Sequence, residues 1–312
     1  MRSWLLLLAV SLTGGIHAAE VSRSSFEEHY DKLYALNMAD TGTDNELKGR
    51  QIGSYYDAHV ARLQKSSALV KRSDAEMDFL FRSALLASYY TDDERYVDDM
   101  RRDLAELSRR GVAPTQSLKD FYHALVAYRH FEEAADFRQT HTDIGVPAFP
   151  VVYNEVPQGY VGPTGLYLVG SEDQRSFHRK VLPLSAPSAR VVVVSHPRCQ
   201  FSARAVADIE RNPVLLSVFQ EHSTWITPQD GDIDVPNLSA WNQAHKIPPT
   251  AVTYRQSEWP MFHNWATPTF YFFKDGKLVR EVSGWPASGN EDALRAALRE
   301  VGLLDQDRGG AG

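Results

Sequence analysis

The chain has 312 residues, and 43% hydrophobic with 11% aromatic side chains is too apolar for a disordered protein and enough to bury a core. Its formal net charge of −7 gives no basic excess, which excludes the electrostatic footprint of a nucleic-acid binder and strong attraction to anionic membranes. The one cysteine, Cys199, excludes an intramolecular disulfide framework and any multi-cysteine zinc or iron–sulfur site.

At the start of the chain, Arg2 precedes the apolar run Trp4–Leu12, far short of the about 20 residues needed to cross a bilayer. Gly14-Gly15 and the small residues up to Ala18-Ala19 follow, so residues 1–18 read as a signal peptide cleaved after Ala18. The expected destination is periplasmic or secreted, with no integral membrane segment in the mature chain.

All 16 prolines lie at or after position 114, and the preceding stretch keeps a helical period. Ser73-Asp74-Ala75-Glu76 has the form of a capping box, and Met77, Leu80, Phe81, Ala84, Leu85 and Ala87 fall on one face behind it. Arg109-Arg110-Gly111 and Pro114 close the next helix. Leu118, Phe121, Tyr122, Leu125 and Tyr128 share a face of the following one, with Phe131, Ala134 and Phe137 on its partner. Residues 20–150 are therefore predicted to be a helical domain of short-linked hairpins. Tyr128–Ala135 resembles the second-helix start of a tetratricopeptide-type repeat; an ordinary helical bundle fits the same pattern. The acids Asp92-Asp93-Glu94 and Asp98-Asp99 read as a solvated helix face or helix-start charges.

Residues 151–185 are rich in Pro and Gly and read as a connector, with a β-hairpin of strands 166–169 and 176–182 around Gly170-Ser171-Glu172-Asp173. From 186 to 305 strands and helices alternate. Arg190–Val194 is a β-branched run of the kind buried on both faces of a sheet. A helix carries Ala203, Val206 and Ile209, another follows Pro213, Thr224-Trp225-Ile226 is a strand and Leu238–His245 a helix. Phe270–Phe273 and Lys277–Val282 form a hairpin through Asp275-Gly276, and Asn290 is placed to cap a last amphipathic helix. Residues 306–312 read as a flexible tail.

A lone thiol in an exported chain is either buried and inert or exposed for a purpose. Here Cys199 stands between the first buried strand and its helix. This order of elements resembles the thioredoxin family across roughly residues 186–304, with an α/β fold of a central mixed sheet flanked by helices. Ser195-His196-Pro197-Arg198 leads into Cys199-Gln200-Phe201-Ser202, which stands where that family has Cys-x-x-Cys. Trp265-Ala266-Thr267-Pro268-Thr269 looks like the family's cis-proline loop. The resemblance implies thiol–disulfide chemistry with Cys199 as nucleophile, Ser202 donating a hydrogen bond to its thiolate, and Thr267-Pro268 as substrate platform. Trp265 and Phe201 would border the substrate, and His196 and Arg198 would add positive potential. A helix N-terminus independently favours the thiolate.

Two departures limit the resemblance. Ser202 cannot resolve a mixed disulfide, and Val193 occupies the position of the family's buried acid. One-thiol exchange remains, with protein or small-molecule thiols and disulfides as partners. The alternative is a non-enzymatic binding or chaperone-like protein with a degenerate domain, a protein partner lying on the helical hairpins. The aromatic rings of Tyr254, Trp259, Phe262, His263 and Trp265 read either as a substrate lip or as a loop packed on the helical domain. His222, His245 and His263 lack paired ligand spacing, and Asp230, Asp232 and Asp234 lack the glutamate of a calcium loop, so no metal and no other cofactor is expected.

Overall fold

The computed structural model describes residues 24–39, 45–172, 174–182, 184 and 188–305. The expected signal peptide and C-terminal tail lie outside the described residues. The N-terminal half is helical, with α1 (Ser25–Met38), α2 (Asn45–His59), a single turn α3 (Ser66–Leu69), α4 (Asp74–Tyr90), α5 (Arg95–Arg109), α6 (Thr115–Ala127) and α7 (Phe131–Thr140). The capping box forms as the sequence predicts. Ser73 Oγ accepts from the Glu76 amide at 3.3 Å, and the Glu76 carboxylate accepts from the Ser73 amide at 2.8 Å. Met77, Leu80, Phe81 and Ala84 then fall into one core with Met100 and Leu104 of α5 and Leu125 of α6. No helix among the described residues is long and apolar enough to cross a membrane.

The expectation for Asp98-Asp99 needs correction at its second residue. Asp99 is buried and accepts a hydrogen bond from Tyr56 Oη at 2.7 Å. A helix face reading by charge alone misses it, because the partner comes from α2.

The C-terminal half is a mixed sheet with helices. Its strands are β1 (Val151–Asn154), β2 (Thr164–Val169), β3 (Ser176–Val181) and β4 (Arg190–Val194), followed by α8 (Gln200–Arg211) and α9 (Pro213–His222). Then come β5 (Ser223–Thr227), α10 (Val235–Ala244), β6 (Ala251–Thr253), β7 (Thr269–Lys274), β8 (Lys277–Ser283) and α11 (Glu291–Val301). The spatial order is β1-β3-β2-β6-β5-β4-β7-β8, with β4 parallel to β5 and antiparallel to β7. The predicted connector hairpin appears as β2–β3 and joins the same sheet through β6. Asp275 and Gly276 both take positive φ, 50° and 73°, the pair of left-handed residues a tight β7–β8 hairpin requires.

Alternation along β4 and β7 explains why their sequences are apolar without a break. Val191, Val193, Phe270 and Phe272 face α8, α9 and α11, while Val192, Val194, Tyr271 and Phe273 face the opposite side. That opposite side is covered by the segment 255–265 in place of a helix. Phe262 stacks on Tyr271 with ring centroids 3.7 Å apart, and Trp259 stacks on Phe262 at 4.8 Å. These two aromatics are thus core, packed on the sheet and not on the helical half. Asn290 stands at the start of α11, but its side chain makes no cap to the helix and instead donates to the Gly284 carbonyl at 3.1 Å.

Candidate active site around Cys199

Strand register brings the site together. In the antiparallel β4–β7 pair Val194 lies opposite Thr269, so the residues just after β4 meet those just before β7. Ser195 continues the strand with its amide donating to the Ile226 carbonyl at 2.8 Å. The chain then turns through His196-Pro197-Arg198, and Cys199 becomes the N-cap residue of α8 with extended backbone. Its half-buried sulfur donates to the Thr267 carbonyl at 3.2 Å, beside a Thr267–Pro268 peptide bond in the cis form.

Burial pushes the Cys199 thiol up, but hydrogen bonding with Thr267, with the amide and hydroxyl of Ser202 and with the Phe201 amide outweighs it. The thiol therefore lies below the ordinary cysteine range. Direction matters among these contacts. The Thr267 carbonyl only accepts and so holds the neutral thiol; the donors, which are the two amides and the Ser202 and Thr267 hydroxyls, are what favour the thiolate. As a neutral thiol Cys199 makes no cap to its helix, and ionisation turns its sulfur into the acceptor that the first-turn amides lack.

Ser202 is fully buried, and its Oγ accepts from the His196 amide at 3.3 Å, which leaves the hydroxyl proton for the sulfur. His196 Nδ1 accepts from the Arg198 amide at 3.1 Å, so the ring proton of the neutral imidazole sits on Nε2, 3.4 Å from Asp230 Oδ2. The Arg198 guanidinium is bound to Asp232, with Nη1 2.8 Å from Oδ2. Asp232 holds Arg198 above its ordinary value, and Arg198 holds the Asp232 carboxyl below its own. Both side chains expected to add positive charge are thus turned to acids of the 228–234 loop, and hydrogen-bond donors lower the thiol instead. Asp234 caps α10, accepting from the Asn237 amide at 3.0 Å. Among the described residues no group of three or more His, Cys, Asp or Glu could hold a metal ion.

The two residues expected to border the substrate lie in different surroundings. Phe201 is 41% exposed, with the Arg204 guanidinium carbon 4.8 Å from its ring centre. Trp265 is half-buried and leans on Phe262 at 5.6 Å between centroids. Val193 is fully buried among apolar side chains under α8.

Asn264 escapes the sequence reading. Its Nδ2 donates to Glu281 at 2.9 Å and to Ser283 at 3.0 Å, its Oδ1 accepts from the Ala266 amide at 3.0 Å, and its backbone is hydrogen-bonded to the Tyr271 hydroxyl. It therefore fixes the loop that presents Thr267. Its bond to the Ala266 amide is local, but the partners that tie the loop to the sheet are on β7 and β8, out of reach of a sequence reading.

No family model matches the chain, and no curated protein matches it. Among solved structures it is similar to a thioredoxin-like protein from Bacteroides caccae, with 8% identity over 96% of this chain and 99% of that one and a TM-score of 0.29.

Proposed function

We propose that this chain is an exported thioredoxin-like thiol–disulfide oxidoreductase or isomerase acting through Cys199 alone. The observation that carries the reading is the Cys199 sulfur, half-buried at the start of α8 and 3.2 Å from the Thr267 carbonyl. Supporting it, β5-β4-β7-β8 with α8 and α9, α10 and α11 between and after them repeats the element order of the family the sequence resembles. In this reading residues 186–305 are the redox domain, residues 20–150 the helical domain, and residues 1–18 direct export.

The chemistry closes with one thiol. The Cys199 thiolate attacks one sulfur of a substrate disulfide, the S–S bond breaks, and the other substrate sulfur leaves as a thiolate. A second thiolate, from the substrate itself or from a small external thiol, then attacks the mixed disulfide and releases Cys199. When the second thiolate belongs to the substrate, the disulfide is rearranged with no net change of oxidation state. When it belongs to an external thiol, its attack on the substrate sulfur frees Cys199 and leaves that thiol joined to the substrate in a new mixed disulfide, which a second external thiol opens to reduce the substrate and form the external disulfide. Ser202 stabilises the thiolate and takes no part as a resolving group.

Incubation with a disulfide-bonded peptide, acid quenching and mass spectrometry under non-reducing conditions tests this. The expected result is a Cys199-linked adduct that added thiol reverses and that Cys199→Ser lacks. Absence of any adduct contradicts the reading. Ser202 in place of a second thiol favours one other reading, a binding protein with a partner on the helical half; it predicts partner retention that Cys199→Ser leaves unchanged.

A further inference from the structure

One arginine among the contacts between the helical and sheet halves binds carbonyls of both, and it is a few contacts from the thiol. Arg129 lies just past the end of α6 in a left-handed conformation, φ 66°, and is 7% exposed. Its guanidinium reaches main-chain carbonyls on both sides. It donates to Val126 at 2.9 Å within the helical half, and to Thr253 at 2.6 Å, Tyr254 at 2.6 Å and Asp230 at 3.2 Å in the sheet half. A non-glycine residue with positive φ persists where its surroundings over-determine it, and a buried cation persists where its donors are met. Burial pushes Arg129 down to about 10, so it stays charged at neutral pH.

The loop it holds is the one that holds the thiol turn. Asp230 faces His196, and Asp232 binds Arg198. Gly231 between them presses on α6 so closely that a Cβ there would stand 2.0 Å from the His123 carbonyl oxygen. The His123 ring meets the Gly231 carbonyl at 3.0 Å, and the Gln229 amide closes the α6 end by donating to the Ala127 carbonyl at 2.8 Å. From Asp230 the contacts run through His196, whose amide donates to Ser202, and Ser202 supports the sulfur.

We propose that Arg129 is a positioning residue for Cys199, through which the helical half sets the conformation of the 228–234 loop and, by way of His196 and Ser202, the ionisation of the thiol. This rests on Cys199 being the reactive group. It gives the helical half a role in the chemistry although the groups hydrogen-bonded to the sulfur, on Thr267, Ser202 and Phe201, lie in the sheet half, and it makes Gly231 a required glycine on the opposite side of the same contact.

The test uses the full chain with Arg129→Ala, Arg129→Lys and Gly231→Ala, and two readouts in each: the pH midpoint of Cys199 alkylation and amide hydrogen exchange across residues 196–202. In Arg129→Ala and Gly231→Ala the midpoint is expected to rise, alkylation at neutral pH to fall roughly three- to ten-fold, and exchange to quicken. Arg129→Lys, which keeps a donor for some of the carbonyls, should lie between wild type and Arg129→Ala. A general loss of packing would lower the melting temperature without moving the midpoint of the molecules that remain folded. Should Arg129→Ala fail to fold, Gly231→Ala and Arg129→Lys decide. Unchanged midpoints and unchanged exchange overturn the proposal. A wild-type midpoint at the free-cysteine value overturns the reading of Cys199 instead, and exchange across 196–202 then still reports whether Arg129 holds the turn.

Discussion

Cys199 at the head of α8 and Asp103 inside the helical half are both withdrawn from water, and their protons respond in opposite directions. Asp103 is fully buried; Gln64 donates to its Oδ2 at 2.9 Å, while its Oδ1 and the Gln64 Oε1 are buried without a partner. Burial pushes its carboxyl well above the usual range, the Gln64 bond opposing this and the neighbouring Asp99 adding to it. Burial also pushes Asp99 up, against the hydrogen bond from Tyr56. At Cys199 the same desolvation is overcome, because amides and hydroxyls converge on the sulfur. The two groups differ in depth and in the supply of donors: the fully buried carboxyl with one donor is held above its ordinary value, and the half-buried thiol with several is held below its own.

The largest break in this comparison comes from Gln64→Leu. The Gln64 amide bridges the Tyr56 oxygen at 3.1 Å and Asp103, so its loss leaves a buried carboxyl and a buried hydroxyl short of a donor. A destabilisation of about 2–3 kcal/mol is expected in urea unfolding at neutral pH.

Next in size, Ser202→Ala removes one hydroxyl donor from the sulfur and the acceptor of the His196 amide. The alkylation midpoint should move up and the rate at neutral pH fall roughly three- to ten-fold, read by mass spectrometry of the alkylated peptide.

Asp103→Asn sharpens the acidic side. A carboxyl raised in the folded state contributes stability that is fully present below its unfolded value and is lost as pH rises through the folded value. Wild type should therefore lose ground to Asp103→Asn as pH increases from about 4 to 8, in parallel urea titrations, with the two converging at the acid end. A difference independent of pH would place Asp103 among ordinary carboxylates.

The smallest effect belongs to Arg198→Ala. Its guanidinium is paired with Asp232, whose side chain is 64% exposed, so removing both charges' attraction at the surface should shift the Cys199 midpoint by less than about 0.3 pH units. A larger shift would return to Arg198 the electrostatic role that its sequence position suggests.

How much of this is legible in the chain follows from the range of the contacts. Local chemistry announces itself: the Ser73–Glu76 box, the Asp275-Gly276 turn and the helix faces each need only neighbours in sequence. The union of Cys199 with Thr267 is readable only through a resemblance, since the β4–β7 register creates it. Strands β1 and β6 are four and three residues long and carry no period to detect. Asp99 misleads because its buried partner, Tyr56, stands on another helix. His196 and Arg198 look like a positive frame for the thiol until Asp230 and Asp232 arrive from the loop before α10. Arg129 gives no sign in sequence of meeting Thr253 and Tyr254, whose carbonyls lie across the molecule.

The direct test of the thiol site is alkylation of wild-type Cys199 followed by mass spectrometry from pH 5 to 10. Convergent donors predict a midpoint clearly below the free-cysteine value of about 8.5 and alkylation of the folded protein without denaturant. A midpoint at or above that value, or a sulfur that reacts only after unfolding, would contradict the account.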